Sequence, residues 1–336
     1  MTNRSFCLKV LVYLSPIVFV MGWFFIKNPY HLGSYRPGLY DNPFVHLNRE
    51  MVCYETHEAL RDSMAFNAFI FGSSRSHAYH CDAWSKHLPS GAIPFHLDAS
   101  AESITGAWQK VRYLHRTGAD IRHALLIVDS HFFNGLNWNR SPPTFHPHHL
   151  GTGKSVWQYR LSYLQAFMTP AIVLAYFDYM LFGKHRPYMR FFTDRPDYNG
   201  FLNPVNCDLH YRLEDQIRSD SLSYYSAGNW ARPEMERQSE VLPSEREISM
   251  ISEVAQIFSQ HGTDVQIIVS PLFDRIRMSD ARLAMLRNHF GTDRVHDFSG
   301  KNKWTAPISN YYEQSHYRPH VARAIMAEVY GEQAPD

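Results

Sequence analysis

The most informative feature for the fold of this chain is a short apolar run followed directly by glycine and two serines. Residues 68–71 read AFIF, and Gly72, Ser73 and Ser74 follow them directly. The run is typical of a buried strand, and glycine followed by two small hydroxyl residues is typical of a tight turn. In an open α/β sheet, the turn after such a strand presents side chains and backbone N–H groups to a ligand. Ser74 is therefore well placed to act as a nucleophile.

Strands and amphipathic helices alternate on both sides of this turn. Strands are predicted at 68–71, 92–97, 123–128, 265–269 and 294–298, and helices at 82–87, 102–117, 244–260, 279–291 and 319–330. Strand, helix and strand at this spacing are typical of a parallel sheet with right-handed crossovers. The alternation stops between 134 and 240, where we predict an inserted helical and irregular segment. The sequence thus predicts one α/β domain over residues 61–336.

The N-terminus contains a possible membrane anchor. Residues 10–26 carry no charge, lie between Lys9 and Lys27, and are just long enough to span a bilayer. Because no small-x-small cleavage site follows, we predict an uncleaved anchor over residues 1–27 of an inner or cytoplasmic membrane protein. Residues 28–60 are rich in Pro, Tyr, Gly and Asn, which predicts a linker with little regular structure. The domain would then face the periplasm or the cell exterior.

A second apolar stretch, at 163–182, contains Asp178. A carboxylate is costly in lipid, so we expect helices that cover the active-site side of the sheet or rest on the membrane surface, rather than a second span. The formal net charge is +1, which offers no electrostatic surface for nucleic acid.

The number of cysteines does not argue against an exported protein. Cys7 would lie at the membrane edge, and Cys53, Cys81 and Cys207 would lie beyond it. Three cysteines allow one disulfide and one free thiol, and the sequence leaves the pairing open.

A serine nucleophile needs a base, and a candidate lies near the other end of the chain. Residues 311–319 read YYEQSHYRP, with Glu313 three residues before His316. This spacing allows the carboxylate to hold the imidazole in the tautomer that accepts the serine proton. Asp297, at a predicted strand end, is the competing acid. We therefore predict a site formed by Ser74, His316 and Glu313.

Other polar residues follow the predicted strands and are candidates for substrate contact. They are Arg75, Asp129 and Ser100, and Ser100 is also expected to cap the helix that begins at 102. A separate cluster at 146–149 reads HPHH, which suggests metal binding as an alternative. It lacks a carboxylate or cysteine at ligand spacing, so surface histidines are the better explanation.

The early Gly72-Ser73-Ser74 turn and the late Glu313-x-x-His316 pair resemble the first and last blocks of the SGNH (GDSL-like) hydrolases. The layout is similar to membrane-anchored periplasmic members that handle acyl groups on envelope polymers, such as D-alanyl-lipoteichoic acid transfer and alginate O-acetylation proteins. The resemblance implies a flavodoxin-like three-layer fold, and Ser74 as the nucleophile. It also implies a serine esterase or O-acyltransferase without a cofactor, acting on acyl esters of an envelope glycan or a small acylated molecule. A multispanning membrane acyltransferase is the implied partner.

The sequence departs from that pattern at three places, and these leave an alternative open. Ser73 and Glu313 stand where the family usually has aspartate, and the middle blocks, at 96–101 and 128–131, contain no asparagine to bind an oxyanion. A catalytically inactive protein of the same fold, which binds glycan or scaffolds an envelope assembly, is the alternative.

Overall fold

The structure is a computed structural model that describes residues 3–36, 38, 40, 44–133, 147–191, 200–239 and 242–331. Its strands, in chain order, are β1 (Ala68–Phe71), β2 (Pro94–His96), β3 (His123–Val128), β4 (Phe201–Leu202), β5 (Leu209–His210), β6 (Arg237–Gln238), β7 (Asp264–Val269), β8 (Ile276–Arg277) and β9 (Val295–Asp297). Its helices are α1 (Asn3–Lys27), α2 (Arg49–Met64), α3 (Cys81–Ser85), α4 (Ile104–Arg116), α5 (His149–Thr152), α6 (Val156–Phe167), α7 (Pro170–Phe182), α8 (Leu213–Ser219), α9 (Ser221–Ala227), α10 (Glu245–His261), α11 (Asp280–Phe290) and α12 (Pro319–Tyr330).

The central sheet has five parallel strands in the order β2-β1-β3-β7-β9. Counted among themselves, these strands have the order 2-1-3-4-5, one of the two common orders of doubly wound sheets. The order reverses at β1, which pairs with β2 on one side and with β3 on the other. Ligands of such sheets bind outside the carboxyl ends of the strands at this point, so Ser74 lies where the topology favours a site.

Helices cover both faces of the sheet because the side chains of each strand alternate between them. Phe69 and Phe71 of β1 belong to a core with residues of α2, α4, α10 and α11. Ala68 and Ile70 of the same strand belong to a second core with α3 and α12. The chain is therefore an α/β protein with three layers, as predicted.

Local sequence signals agree closely with several elements. The bounds of β1, β3 and α12 are those predicted. Helix α10 begins with a reciprocal cap, in which the Ser244 side chain accepts from the N–H of Glu247 and the Glu247 carboxylate accepts from the N–H of Ser244.

Two predictions were wrong, and the first concerns Ser100. Helix α4 begins after Ser103 and not with a cap by Ser100.

The second wrong prediction concerns the linker at 28–60, because its last third belongs to α2. The side chain of Asn48 caps this helix by accepting a hydrogen bond from the backbone N–H of Met51. Residues 49–57 of α2 are all buried, and Arg49, Glu50, Glu55 and His57 are among them. Because polar residues occupy its buried face, the sequence of α2 lacks the apolar periodicity from which a helix is predicted.

Helix α1 is long and apolar enough to cross a membrane over residues 9–27, and only 6% of its most apolar window is buried in the protein. Its second half packs on α7, where the ring centroid of Phe177 lies 6.1 Å from that of Phe19 and 5.5 Å from that of Trp23. Helices α6 and α7 could form a span only as a pair bent by 80°. Asp178 pairs with Arg186 at 2.7 Å.

The described part of the insertion, at 147–191 and 200–239, contains regular elements. Strands β4 and β5 form a small antiparallel pair, and β6 pairs with β8 outside the main sheet. Short helices α8 and α9 follow β5 directly.

Candidate active site

The turn after β1 has space only for glycine at its first position. A Cβ atom on Gly72 would lie 2.9 Å from the carbonyl oxygen of Ile127 and 2.9 Å from Cβ of Ser76. A 3₁₀ helix, Ser74–Ala78, begins immediately after the turn, and the Ser73 side chain accepts a weak hydrogen bond from Arg75 N–H at its start. Ser74 is thus held at the carboxyl end of β1 and remains partly exposed.

The structure brings Ser74, His316 and Glu313 together. Ser74 Oγ lies 2.7 Å from His316 Nε2, and His316 Nδ1 makes a short hydrogen bond to Glu313 Oε1. The side chains of His316 and Glu313 are 25% and 45% exposed. Because the carboxylate fixes the proton on Nδ1, the lone pair of Nε2 faces the serine hydroxyl. This is the geometry that a serine nucleophile and its base require.

Glu313 is held in its charged form. Partial burial acts to raise its pKa, but hydrogen bonds from His316 and from the Ser315 backbone outweigh burial and lower the pKa below its ordinary value. The Ser315 N–H donates to Glu313 Oε2 at 2.7 Å. Glu313 is therefore a carboxylate at neutral pH and can orient His316.

The described part of the insertion holds the loop that carries His316. The hydroxyl of Tyr224 donates to the carbonyl of Tyr312 at 2.7 Å. Arg318, two residues after His316, makes two hydrogen bonds to Glu214, at 3.0 and 2.8 Å. Burial of Glu214 acts to raise its pKa, but the bonds from Arg318 prevail and lower it to about 2. The insertion is thus part of the framework of the site.

The predicted substrate-contacting residues have different surroundings. Arg75 donates from Nη1 to Asp129 Oδ2 at 2.8 Å and from Nε to the carbonyl of Ser315 at 3.1 Å. Asp129, at the end of β3, is almost fully buried and also accepts a hydrogen bond from His131 N–H. Arg75 and Asp129 therefore connect the end of β3 to the histidine loop. Ser100 lies half-buried in the turn after β2.

A second serine, histidine and aspartate arrangement lies two residues further along the turn, and the sequence analysis missed it. Ser76 Oγ lies 3.0 Å from His96 Nε2, and His96 Nδ1 lies 3.1 Å from Asp208 Oδ1. Ser76 and His96 are completely buried, and Asp208 is nearly so. The Ser76 hydroxyl donates its only proton to the carbonyl of Ser73 at 2.7 Å, so His96 donates to Ser76.

A buried charged network lies next to this second arrangement. Asp98 binds Arg49 at 2.8 Å and His77 Nε2 at 2.5 Å, and the hydroxyl of Tyr211 lies 2.9 Å from His77 Nδ1. Burial lowers the pKa of His77 to about 4, against the opposing effect of Asp98. The Tyr211 ring lies 5.7 Å from the His316 ring, centroid to centroid. Through Tyr211, the network therefore contacts His316 of the candidate site.

The sequence could have indicated part of this network. Ser76 and His77 belong to the same turn as Ser74, and His96 and Asp98 stand at the end of the neighbouring strand. Polar residues at the carboxyl ends of adjacent parallel strands are expected to meet. Asp208 and Tyr211 belong to the insertion, and no local pattern connects them to β1.

Asp297, the other candidate for the acid, and His148, from the candidate metal cluster, contact residues outside the Ser74 site. Asp297 accepts hydrogen bonds from the N–H and the hydroxyl of Ser299, as a turn cap does. His146 lies outside the described residues, while His148 stacks on Tyr54 with ring centroids 4.8 Å apart. In the part of the chain that the structure describes, no group of three or more His, Cys, Asp and Glu side chains could hold a metal ion.

Comparisons with known proteins do not assign the chain to a family. No model of a protein family matches it. No curated protein sequence matches it significantly.

Proposed function

We propose that this protein is a membrane-anchored, extracytoplasmic serine esterase or O-acyltransferase of SGNH type. The observation that carries the proposal is the chain of contacts from Ser74 Oγ to His316 Nε2, at 2.7 Å, and from His316 Nδ1 to Glu313. Support from the fold is the position of Ser74 at the carboxyl end of β1, where the strand order of the sheet reverses.

The reaction would proceed in two steps. His316 removes the proton of Ser74 as its oxygen attacks the ester carbonyl, and the protonated imidazole then delivers this proton to the departing alcohol. The ester bond to the alcohol breaks, and an acyl-Ser74 ester remains. In the second step, His316 activates water for hydrolysis or a sugar hydroxyl for transfer. Glu313 stabilises the imidazolium in both steps, and the N–H of Ser74 is the proposed oxyanion donor.

A glycan substrate is supported by the cavity beside the site. A cavity of about 260 Å³ is lined by aromatic and charged side chains, including His77, Phe201, Tyr211, Arg218 and Tyr312. Phe201 is 49% exposed and stacks on His210 of the same lining, with ring centroids 4.9 Å apart, and Tyr211 contacts His316. An exposed aromatic ring offers an apolar face against which the apolar face of a sugar can pack. An acetyl or similar small acyl group on such a glycan is the proposed group that Ser74 accepts and then passes to water or to a sugar hydroxyl.

Membrane attachment is supported by the exposed apolar surface around α1. Large apolar side chains are exposed along α1 and also on α6 and α7, for example Trp157, Leu161, Leu174 and Phe182. Helices α6 and α7 pack on the second half of α1, so they would lie at the membrane surface beside the anchor. A multispanning acyltransferase that supplies acyl groups across the membrane is the proposed partner.

The test is hydrolysis of p-nitrophenyl acetate by the full-length protein in detergent, with Ser74→Ala and Ser76→Ala compared. Ser74→Ala removes the nucleophile, so we expect kcat/KM to fall by at least ~10³-fold. The Ser76→Ala variant is the matched control because it deletes the neighbouring hydroxyl, and its activity should stay within about tenfold of the wild type. Equal activity of the wild type and Ser74→Ala, with both proteins folded, would refute the esterase and favour the glycan-binding alternative.

A further inference from the structure

Two cysteines far apart in the sequence have their sulfur atoms in contact. Cys53 Sγ and Cys207 Sγ lie 3.1 Å apart, although 154 positions separate the two residues. Cys53 belongs to α2, and Cys207 precedes β5 in the insertion. Both side chains are completely buried. A disulfide has an S–S separation of about 2.0 Å, so the thiols need to move together by roughly 1 Å.

We propose that Cys53 and Cys207 form a disulfide in the mature protein, which ties α2 to the part of the insertion behind the candidate site. The proposal does not depend on the hydrolase mechanism. It uses the positions of the two sulfurs and the export that α1 suggests, because disulfides form and persist in oxidising compartments.

Two charged residues, Arg49 and Asp98, contact the two cysteines. Arg49, one helical turn before Cys53, donates a short hydrogen bond from Nη2 to the carbonyl of Cys207. Arg49 also binds Asp98, and the Cys53 thiol donates to the same carboxylate at 3.4 Å. Cys207 has a left-handed backbone conformation, with φ of 57°, that residues other than glycine rarely adopt. The structure thus maintains an unusual backbone conformation at the position where the sulfurs meet.

The third buried cysteine, Cys81, provides the control. Its sulfur lies 3.9 Å from the carbonyl oxygen of Asn206, and its backbone N–H donates to Asp208 Oδ2 at 2.8 Å. Cys81 is therefore close to the same segment but is directed at a carbonyl group. We expect it to remain a thiol.

The oxidation would occur as the chain folds. Burial raises the pKa of the Cys53 thiol well above its ordinary value, so little of the reactive thiolate is present once the protein is folded. The oxidant is the disulfide of a thiol–disulfide oxidoreductase or of oxidised glutathione. Both thiols lose their hydrogen atoms as the new S–S bond forms, and the disulfide of the oxidant is reduced to two thiols.

The bond would fix residues that support the site. Asp208 follows Cys207 directly and binds His96, and Tyr211 contacts both His77 and His316. A link from Cys207 to α2 would hold this segment against the sheet. Its loss is expected to lower the melting temperature by roughly 5 °C, because the link closes a long loop in the unfolded chain.

The experiment counts free thiols in the full-length protein after export. The protein is produced with its own α1 in bacterial cells with an oxidising periplasm, quenched in acid, and alkylated with a polymer-linked maleimide under denaturing conditions without reductant. The chain has four cysteines, so a disulfide leaves two tags, on Cys7 and Cys81. The expected result is two tags without reductant and four with it.

Serine variants identify the partners. Cys53→Ser and Cys207→Ser should each give three tags, because the partner of the missing cysteine becomes free. Cys81→Ser should keep the disulfide and give one tag. Four tags on the unreduced wild type would overturn the proposal. Three tags on Cys81→Ser would also overturn it, because Cys81 would then belong to the disulfide.

Discussion

Two serine, histidine and carboxylate arrangements begin within one turn of this protein, and they differ in access and in the direction of their hydrogen bonds. Ser74 is partly exposed, and its partner His316 is 25% exposed. Ser76 and His96 are fully buried, and the proton of Ser76 is donated to a backbone carbonyl. Similar residue types thus form one accessible arrangement, the proposed reactive site, and one buried arrangement. The Ser74 arrangement differs from the Ser76 arrangement in two ways. A substrate can reach it, and its serine proton can be directed at the histidine.

Replacing the two histidines should give the largest contrast. His316→Ala removes the proposed base, so kcat for acetyl-ester hydrolysis should fall on the order of 10⁴-fold with little change in stability. His96→Ala removes the imidazole partner of the buried Asp208, and the free energy of unfolding should fall by about 3 kcal/mol. Ester hydrolysis and urea unfolding of both variants measure this contrast. A His316→Ala protein with wild-type kcat would show that His316 is not the base.

Replacing Glu313 should have the next largest effect. Glu313→Gln keeps the shape but removes the charge that stabilises the imidazolium, so kcat should fall on the order of 10²-fold while KM changes little. The matched control is Asp297→Asn, which alters the other carboxylate considered for this role and should keep wild-type kcat. Loss of activity in Asp297→Asn instead would exchange the two assignments.

Arg75 should have a smaller effect, because it acts through the loop that carries His316. Arg75→Ala removes the bonds to Asp129 and to the Ser315 carbonyl, and we expect kcat to fall about tenfold. Arg122→Ala removes an exposed pair with Asp120 and should leave kcat unchanged. If Arg75→Ala changes KM alone, Arg75 contacts substrate and is not a positioning residue.

Asp208 should affect stability with a defined pH dependence. Burial acts to raise the pKa of Asp208, but hydrogen bonds from His96 and from Cys81 N–H lower it below the ordinary value of 3.8. The charged carboxylate is thus favoured more in the folded state than in the unfolded state. Its stabilisation is complete above pH 3.8 and is lost as the pH falls through the lower folded pKa.

The comparison of wild type with Asp208→Asn measures this contribution. The difference in the free energy of unfolding should be about 2 kcal/mol at about pH 7 and pH 5, and smaller at about pH 3. Urea unfolding at the three pH values measures it. A difference that grows as the pH falls would contradict the assignment of a charged Asp208.

The same comparison explains what the sequence predicts and what it does not. Ser74, Glu313 and His316 stand in short local patterns, a strand followed by a turn and an acid three residues before a histidine, and the fold brings these patterns together. The structural network around Ser76 includes Asp208, which comes from the insertion and lies 112 positions after its partner His96. Local patterns carry no information about such distant contacts.

The same distinction between local patterns and distant contacts applies to the helices. Helix α10 was predictable because a capping pair precedes regular apolar spacing. Helix α2 was not, because its buried face carries Arg49, Glu50 and Glu55, which are paired with partners elsewhere in the chain. Tertiary contacts satisfy these charges, and only the folded protein reveals them.

The site of fluorophosphonate labelling tests directly whether Ser74 is an activated nucleophile. The full-length protein in detergent is treated with the probe, digested, and mapped by mass spectrometry, with unfolded protein as the control. We expect one adduct, on Ser74 and not on Ser76, which disappears in Ser74→Ala and forms far more slowly in His316→Ala. An adduct on Ser76, or a folded protein that does not react, would contradict this expectation.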